Sequence, residues 1–540
     1  MPRATTLRAL FWIVAAALAL VTTDLGGRIL ATNDEARFAL LAQDILVRGD
    51  WLHPKVNEHA YYNKPPLQAW LIAAVSWPGG HVTQTTAVLP SAAAALAVTL
   101  SVWALGRRLF GTDAARAAAL AFITMQGVFL HARLPLPDML LLVLVTLSLW
   151  TYTLALQRGG RYWLAFYGLV GAACWAKGVV GLLPLAVAVV DGVLRFKGDW
   201  WRRIEFPRGL VVALAVMAPW WIVAFSTDRA AVHQAIVVDQ LQWYAPTLPT
   251  LASVMAPFPN VVGVVFPWVI VLPLVVAQAV RVTRGRGAER DHVVLLLAWT
   301  LVTLVLVGLS HEQRMRYYLP LAPPVALLIG WWYAGSVVKH RPEQRVRWRA
   351  YATVGVSVAV LAIAVSAVRP RWRDEVRLLI PDSTGEAVFL LAALGLMLLA
   401  LALGVRFKRL ATGFAVAWVG AALLLAGGYH WALVRRNAAY DYPRMYAAAR
   451  PMLRDVPELQ AWGTPALPLA FYFERPVTAV KPHEALPAVP PDGAASVAVA
   501  RVSLLEHDPS PGLVVVGRDR LGTEAVALVR REARDSGGVP

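Results

Sequence analysis

Residues 32–66 have the sequence TNDEARFALLAQDILVRGDWLHPKVNEHAYYNKPP, and we call this stretch the polar island. It lies between two long apolar segments. An apolar segment of about 20 residues is long enough to cross a bilayer as a helix. A cluster of charged and phenolic side chains directly after the first such segment therefore predicts a reaction site at the bilayer surface.

The composition predicts a membrane protein. The chain has 540 residues, of which 58% are hydrophobic and 16% are charged, and its mean hydropathy is +0.55. These values exclude an ordinary water-soluble globular protein. The formal net charge is +18, but the basic residues occur in short clusters between apolar segments, so we expect no nucleic-acid partner. The single cysteine, Cys174, excludes an intrachain disulfide.

The apolar segments predict about thirteen transmembrane helices, the first of which we interpret as an anchor rather than a cleaved signal peptide. Short Lys- and Arg-rich loops lie on the side of the basic N terminus, which is therefore predicted to be cytoplasmic, although one basic loop at 369–377 falls on the other side. The odd number of spans predicts that the C terminus lies on the outer side of the membrane, which we interpret as the periplasm. The predicted spans are 9–30, 84–105, 114–131, 139–157, 162–176, 179–195, 209–226, 257–280, 292–309, 317–337, 350–368, 386–405 and 410–430.

The composition changes near residue 431, where proline and charged residues become more frequent and no segment is long enough to span. We therefore predict an α-helical transmembrane domain over 1–430, whose first outer loop at 31–83 carries amphipathic helices. Short strand and helix patterns in the tail predict a small periplasmic α/β domain over 431–540.

The polar island begins with a helix signal. Thr32 and Glu35 have the spacing of a capping box, and the apolar residues that follow recur on one helical face. This predicts a short amphipathic helix along the outer surface, with Asp34 near its N terminus. By residue type alone, helix capping explains Asp34 as well as function does, but its charged neighbours favour function.

Cationic and phenolic groups accompany Asp34. Arg37 follows one helical turn later, and Tyr61 and Lys64 precede two prolines that restrict the local backbone. Lysine as a point charge and arginine as a bidentate fork suit the phosphate of a lipid-linked substrate. For a lone Lys64, the alternative is extension toward phospholipid headgroups.

Two more charged residues are predicted on the outer side. Asp138 begins the fourth span, and Lys177 lies between two spans beside glycines. Asp34 and Asp138 are two carboxylates on one face. One is able to position or deprotonate the acceptor while the other holds a metal or a second substrate. Helix capping is the alternative for Asp138. A lysine at Lys177 must reach water, headgroups or an acid, and a phosphate contact fits that requirement.

The loop at 310–324, SHEQRMRYYLPLAPP, adds Arg314, Arg316 and Tyr317 on the same side. Headgroup anchoring is again the alternative for these three residues. The histidines are scattered and give only a weak metal signal. A divalent metal ion is therefore left open, with Asp34 as its candidate ligand.

The sequence DEARFALLAQDILVRGDWLHPKVNEHAYYNKPPLQAWL at 34–71 resembles the first outer loop of the lipid-linked sugar transferases of the GT-C superfamily. The resemblance is to the protein mannosyltransferase and aminoarabinose transferase branch, which includes ArnT-like proteins. The segments PDML, WAKGVVGLLP, YYLPLAPP and FYFERPV match further family segments in the expected order. Together these matches cover most of the chain.

The resemblance implies a GT-C fold with thirteen spans and a periplasmic domain. It also implies transfer of a sugar from a polyprenyl-phosphate donor. Asp34 then corresponds to the first-loop catalytic aspartate and Asp138 to the second acidic position. The resemblance and our leading hypothesis together place six residues at the donor phosphate. These residues are Arg37, Tyr61, Lys64, Lys177, Arg316 and Tyr317.

Two departures leave the sugar and the acceptor open. Asn63 stands where the aminoarabinose branch tends to have glutamate, and residues 239–244, DQLQWY, replace a segment that usually contains glutamate and histidine. Lipid A phosphate or a related glycan is the favoured acceptor. The alternatives are a protein O-mannosyltransferase-like enzyme and, from another class, a lipid-linked sugar flippase, which would need ionisable residues near mid-membrane.

Overall fold

The structure is a computed structural model that describes residues 2–242, 257–310, 313–335, 380–406, 410–453, 456, 459–484, 496–507 and 513–531. Helices make up most of these residues, and seven strands complete the regular structure. The helices are α1 (Pro2–Thr22), α2 (Asn33–Arg48), α3 (Leu67–Ser76), α4 (Gln84–Phe110), α5 (Thr112–Ile123), α6 (Gln126–His131), α7 (Asp138–Arg158), α8 (Arg161–Lys177), α9 (Leu183–Phe196), α10 (Trp200–Arg203), α11 (Phe206–Thr227), α12 (Arg229–His233), α13 (Pro257–Val265), α14 (Leu272–Thr283), α15 (Ala288–Gly308), α16 (Ala322–Tyr333), α17 (Thr384–Arg406), α18 (Leu410–Ala439), α19 (Tyr442–Ala449), α20 (Ala466–Phe473) and α21 (Val502–His507). The strands are β1 (Lys55–Val56), β2 (His59–Ala60), β3 (Leu459–Trp462), β4 (Val477–Val480), β5 (Ser496–Arg501), β6 (Leu513–Leu521) and β7 (Glu524–Arg531).

The described residues contain seven helical stretches that are long and apolar enough to cross a membrane. The chain is a membrane protein. One predicted span, 350–368, lies outside the described residues, so the count of about thirteen stays a prediction. The seven stretches are Gln84–Phe110, Asp138–Arg158, Arg161–Arg203, Phe206–Thr227, Ala288–Gly308, Thr384–Gly404 and Thr412–Leu453.

Two predicted spans are wrong as continuous helices. The span at 114–131 is divided into α5 and α6 next to Thr124, whose hydroxyl donates to the Leu120 carbonyl at 2.7 Å and accepts from the Trp268 indole at 2.9 Å. The span at 257–280 is divided into α13 and α14 around Pro267, because proline lacks an N–H for the helical ladder. Hydropathy alone does not reveal such breaks.

The helix of the polar island is present as predicted. Thr32 is the N-cap of α2, and Thr32 and Glu35 form both bonds of a capping box. The helix ends at Gly49, whose φ of 70° permits the left-handed cap that residues with a Cβ rarely adopt. Phe38 and Ile45 face the interior and are buried.

The C-terminal region contains a five-stranded mixed sheet in the order β4-β3-β5-β7-β6. Strand β3 pairs in parallel with β4 and β5, whereas β7 pairs antiparallel with β5 and β6. The helix α20 connects β3 to β4, since parallel strands need a crossover connection. One side of the sheet packs against α19 and α20 through a core that includes Leu459, Leu469 and Val499.

The chain divides into two compact units that do not follow a single boundary near residue 430. One unit contains Met1–Leu25, Tyr62–Gln68 and Leu89–Tyr429, and the other contains Gly26–Tyr61, Ala69–Val88 and His430–Pro540. We call them the first and the second unit. Most of the first outer loop, which the sequence analysis placed in the membrane domain, therefore groups with the C-terminal region. The Asn33 side chain shows this link, because it accepts a hydrogen bond from the Leu467 N–H at 3.0 Å.

Candidate functional site

In the first unit, an ion pair joins the ends of two candidate spans. Asp138 is the first residue of α7, and Lys177 is the last residue of α8. Gly159 and Gly160 have φ values of 61° and 56°, which let the chain reverse between the two helices. The Lys177 Nζ lies 2.5 Å from the Asp138 Oδ1, and the two side chains are only 6% and 3% exposed.

This geometry shows that Asp138 does not serve as the cap of α7. The N-cap of α7 is Pro137, and Asp138 makes no side-chain capping bond. The carboxylate instead binds Lys177. Since a buried charge is costly to keep in a membrane protein, a carboxylate and an ammonium that share one buried position are a candidate functional site.

An aromatic ring adjoins the ion pair. The Lys177 Nζ lies 4.5 Å from the centroid of the Tyr317 ring, and the Arg316 guanidinium lies 5.5 Å from the same centroid. Both distances are within the range of cation–π contacts. The ring thus stands between two cations, and the structure brings together four residues that the sequence analysis selected from three segments.

His131 belongs to this cluster, and the sequence analysis did not select it. Its ring is buried, and its Nδ1 lies 2.7 Å from the Gly127 carbonyl. It is close enough to interact electrostatically with Asp138 and Arg316. The only signal was its presence in HARLPLPD, seven residues before Asp138, and that spacing has no helical or strand period.

In the second unit, Asp34 binds Arg37. The Arg37 Nη1 donates to the Asp34 Oδ1 at 2.8 Å, and the guanidinium lies 5.6 Å from the centroid of the Tyr61 ring. Thr32, not Asp34, is the residue that caps α2, so helix capping does not explain Asp34. Both side chains of the pair are between a quarter and a third exposed, which leaves the carboxylate accessible.

Lys64 lies in the first unit, half-buried, directly before Pro65 and Pro66. Its neighbour Tyr62 is buried against Trp220, with ring centroids 6.1 Å apart. The two prolines are buried as well. The segment that carries Lys64 is therefore anchored on both sides, which limits the positions that its ammonium group can reach.

Glu35 has a larger role than its place in a capping box suggested. It accepts hydrogen bonds from Arg28 at 2.6 Å and from Arg436 at 3.0 Å, and from the Ala31 N–H at 2.9 Å. Burial alone would raise the pKa of this carboxyl, but the two arginines and the hydrogen bonds outweigh it and lower the pKa to about 2. Glu35 therefore ties the island helix to Arg436 near the end of α18, within the second unit.

Replacing Glu35 with glutamine is expected to destabilise the protein by about 3 kcal/mol, since a pKa near 2 against an ordinary value of 4.5 corresponds to that energy. Because the folded-state pKa is the lower one, this contribution is present above pH 4.5 and is lost as the pH falls toward 2. Thermal unfolding in detergent between those pH values should show a steeper loss in the parent protein than in Glu35→Gln. Equal slopes would contradict the assignment.

The chain is similar to several known proteins. The family of dolichyl-phosphate-mannose-protein mannosyltransferases matches residues 63–223, a stretch that includes Lys64, Asp138 and Lys177. An undecaprenyl phosphate-α-4-amino-4-deoxy-L-arabinose arabinosyl transferase from Pectobacterium carotovorum is 27% identical over 354 residues, which are 64% of this chain and 62% of that protein. The corresponding transferase from Erwinia tasmaniensis is 26% identical over 75% of this chain and 70% of its own length.

A solved structure decides the fold. The crystal structure of ArnT from Cupriavidus metallidurans bound to undecaprenyl phosphate matches with a TM-score of 0.76 at 22% identity, over 98% of this chain and 99% of that one. The chain therefore has the fold of that structure. The archaeal oligosaccharyltransferase AglB from Archaeoglobus fulgidus shares the fold more distantly, with a TM-score of 0.53 at 11% identity over 92% of this chain and 70% of that one.

The chain spans 62% of the length of the Pectobacterium relative.

Proposed function

We propose that this protein is a glycosyltransferase of the GT-C superfamily, which transfers a sugar from a polyprenyl-phosphate donor to an acceptor at the outer face of the membrane. The observation that carries the proposal is the buried Asp138–Lys177 pair beside Arg316 and Tyr317. The names of the related arabinosyl transferases, and the undecaprenyl phosphate bound to ArnT, support a lipid-linked phosphate as the carrier.

The cations serve the leaving group in this reaction. The acceptor oxygen forms a bond to the anomeric carbon while the bond from that carbon to the phosphate oxygen breaks, and the electron pair stays on the phosphate. Displacement in line inverts the configuration. Charge therefore accumulates on the phosphate, and positive groups placed there stabilise the transition state more than the bound donor. We assign this role to Lys64, Lys177, Arg316 and Arg37.

The aromatic residues orient those cations. Tyr317 lies against Lys177 and Arg316, and Tyr61 lies against Arg37. A cation held against a ring retains its charge while its position is restricted. We therefore assign Tyr61 and Tyr317 to the donor-phosphate contacts, through hydroxyl groups that are able to donate to phosphate oxygens.

The acceptor determines how much base catalysis is needed. A phosphate of lipid A is already anionic, so Asp34 would chiefly position it or the donor sugar. A hydroxyl acceptor loses a proton during attack, and the accessible carboxylate of Asp34 is the candidate base. We favour lipid A phosphate because the arabinosyl transferases are similar over most of this chain. Protein O-mannosyl transfer is the second candidate, and the family match over 63–223 supports it.

A divalent metal ion remains an open component of the proposal, with Asp34 as its candidate ligand. Within the described ranges, no group of three or more His, Cys, Asp or Glu side chains lies close enough to hold a metal.

We propose the bacterial inner membrane as the location, with a cytoplasmic N terminus and a periplasmic C-terminal domain. The alternation of basic and less basic loops supports this orientation. It places Asp138 and Lys177 at the periplasmic ends of α7 and α8, where a donor in the outer leaflet is accessible.

The test is transfer by the purified protein from a polyprenyl-phosphate aminoarabinose donor to lipid A, followed by mass spectrometry of the lipid. Lys64→Ala is expected to abolish the mass increment, because the leaving phosphate loses a cation that Pro65 and Pro66 hold in place. Lys55→Ala, in the same loop, is the matched control and should retain transfer.

Equal activity in Lys64→Ala and the parent protein would refute the assigned role of Lys64. Protein mannosylation without any lipid A product would select the second candidate. Movement of the lipid-linked sugar across vesicles without transfer to any acceptor would favour a flippase and overturn the proposal.

A further inference from the structure

A polar cavity lies in the first unit at the ends of α7 and α9 that are opposite to Asp138 and Lys177. Its volume is about 300 Å³, at the lower limit for sites that hold small ligands. The residues that line it come from α7, α9 and α15, and they carry amide, guanidinium, carboxylate and imidazole groups. The polar members are Thr153, Gln157, Arg195, Arg290, Asp291 and His292.

Buried hydrogen bonds hold the Arg195 guanidinium at the cavity wall. Its Nε donates to Asp191 at 2.8 Å and its Nη2 donates to the Asp291 carbonyl at 2.6 Å. Asp191 is fully buried and also accepts from the Tyr152 hydroxyl at 2.8 Å. These bonds use Nε and Nη2, and Nη1 lies 3.8 Å from the Asp291 carboxylate, which is an ion-pair distance but beyond hydrogen-bonding distance. The N–H groups of Nη1 are therefore able to donate to a ligand.

The net charge of the lining is slightly positive, because it contains two arginines and one carboxylate. Arg195 is matched by Asp191, and the Arg290 Nη1 lies 3.0 Å from the Asp291 carboxylate. Arg108 adds a further cation, since it donates to Gln157 of the lining. An anion that enters this cavity therefore meets two guanidinium groups, those of Arg195 and Arg290, and both are oriented by carboxylates.

The loops around the cavity are strongly basic. The segments 157–161, 195–208 and 281–290 together contain eleven Lys and Arg residues and three Asp and Glu residues. Each Lys or Arg near a membrane surface adds about 1 kcal/mol of attraction to anionic lipids, and basic pockets between spans bind their headgroups. The ligand chemistry that suits the cavity is thus an anionic phosphate at the level of the headgroups.

A second cavity of about 210 Å³ shares His292 with the first. Its lining is more apolar and includes Leu109, Phe110 and Trp331. The Phe110 ring lies edge-on to the His292 ring, with centroids 5.8 Å apart. A polar cavity beside a more apolar one, with His292 in both linings, matches a ligand with a phosphate head and a hydrocarbon portion.

We propose that these two cavities form a binding site for the phosphodiester headgroup of an anionic phospholipid, in the leaflet opposite to the proposed transfer reaction. The phosphate lies against Arg195 and Arg290, and the glycerol and first acyl carbons extend past His292 toward Trp331. The proposal is independent of the proposed sugar transfer, because it uses none of the residues assigned to that reaction.

The test is native mass spectrometry of the full chain in detergent with added phosphatidylglycerol, compared with zwitterionic phosphatidylethanolamine and with inorganic phosphate. Phosphatidylglycerol should be retained preferentially. Arg290→Gln should weaken its retention about tenfold, the effect of losing one hydrogen bond to a charged group. Arg284→Gln, an exposed residue of the same basic loop outside the lining, is the matched control and should retain the lipid.

A second variant, Gln157→Glu, places a carboxylate at an exposed position of the lining and should weaken phosphatidylglycerol retention in the same direction. Equal retention in Arg290→Gln, Gln157→Glu and Arg284→Gln would overturn the proposal, because the lipid would then bind the surface without using the cavity. Competition by inorganic phosphate at equal concentration would also overturn it, because the site would then recognise a free phosphate and not a lipid.

Discussion

Asp34→Asn is expected to lower the rate of sugar transfer by about a thousandfold while the protein remains folded. Asparagine keeps the shape of the side chain and removes the charge that, in the proposal, positions the acceptor or the donor sugar, or deprotonates a hydroxyl acceptor. The stability cost should be small, because the Asp34–Arg37 pair is partly exposed and such pairs contribute about 0 to 1 kcal/mol. The helix cap is unaffected, since Thr32 supplies it.

The chain offers a matched control on the same helix. Asp44 also binds an arginine, with 2.5 Å between its Oδ2 and the Arg48 Nη2. Asp44→Asn therefore removes an equivalent charge and a similar ion pair from α2. Transfer should stay within about twofold of the parent, as for other surface substitutions. Similar rates for Asp34→Asn and Asp44→Asn would show that Asp34 has no catalytic role.

The second large effect concerns the buried ion pair. Lys177→Met should abolish transfer and also destabilise the protein by about 3 to 5 kcal/mol, since it leaves the Asp138 carboxylate buried without its partner. Loss of activity in this variant alone does not separate a catalytic role from a structural one.

The double variant Asp138→Asn with Lys177→Met separates the two roles. It removes both charges, and replacing a buried pair by neutral groups of similar volume is often neutral for stability. Thermal unfolding should therefore return close to the parent value. Transfer should remain lost, because the phosphate cation is still missing. Recovery of transfer together with stability would assign the pair to structure alone.

The candidate site residues were predictable from sequence where neighbouring residues follow a recognisable local pattern. Asp34, Arg37, Tyr61 and Lys64 stand in one loop, and a helix cap, a helical turn and a proline pair explain their spacing. The ion pair of Asp138 with Lys177 was not predictable as a contact, although both residues were selected. It depends on the reversal of the chain at Gly159 and Gly160, which brings the ends of α7 and α8 together.

Other partners were missed because they are far apart in sequence. Glu35 resembled half of a capping box, but Arg436 reaches it across 401 positions of the chain. His131 gave no periodic signal. The breaks near Thr124 and Pro267 were hidden because hydropathy averages over a window, whereas a helix is interrupted at single positions, such as a proline that lacks an N–H.

The sequence by itself determined that this is a helical membrane protein, that its polar island starts with a capped helix and that its motifs resemble the GT-C superfamily. These features follow from local composition and spacing, which act over a few turns of chain. The tertiary structure alone decided which charges are paired and which carboxylates do not serve as helix caps. It also decided that most of the first outer loop groups with the C-terminal sheet. The physical reason is that a buried charge requires a partner in space, and the chain can supply that partner from any distance in sequence.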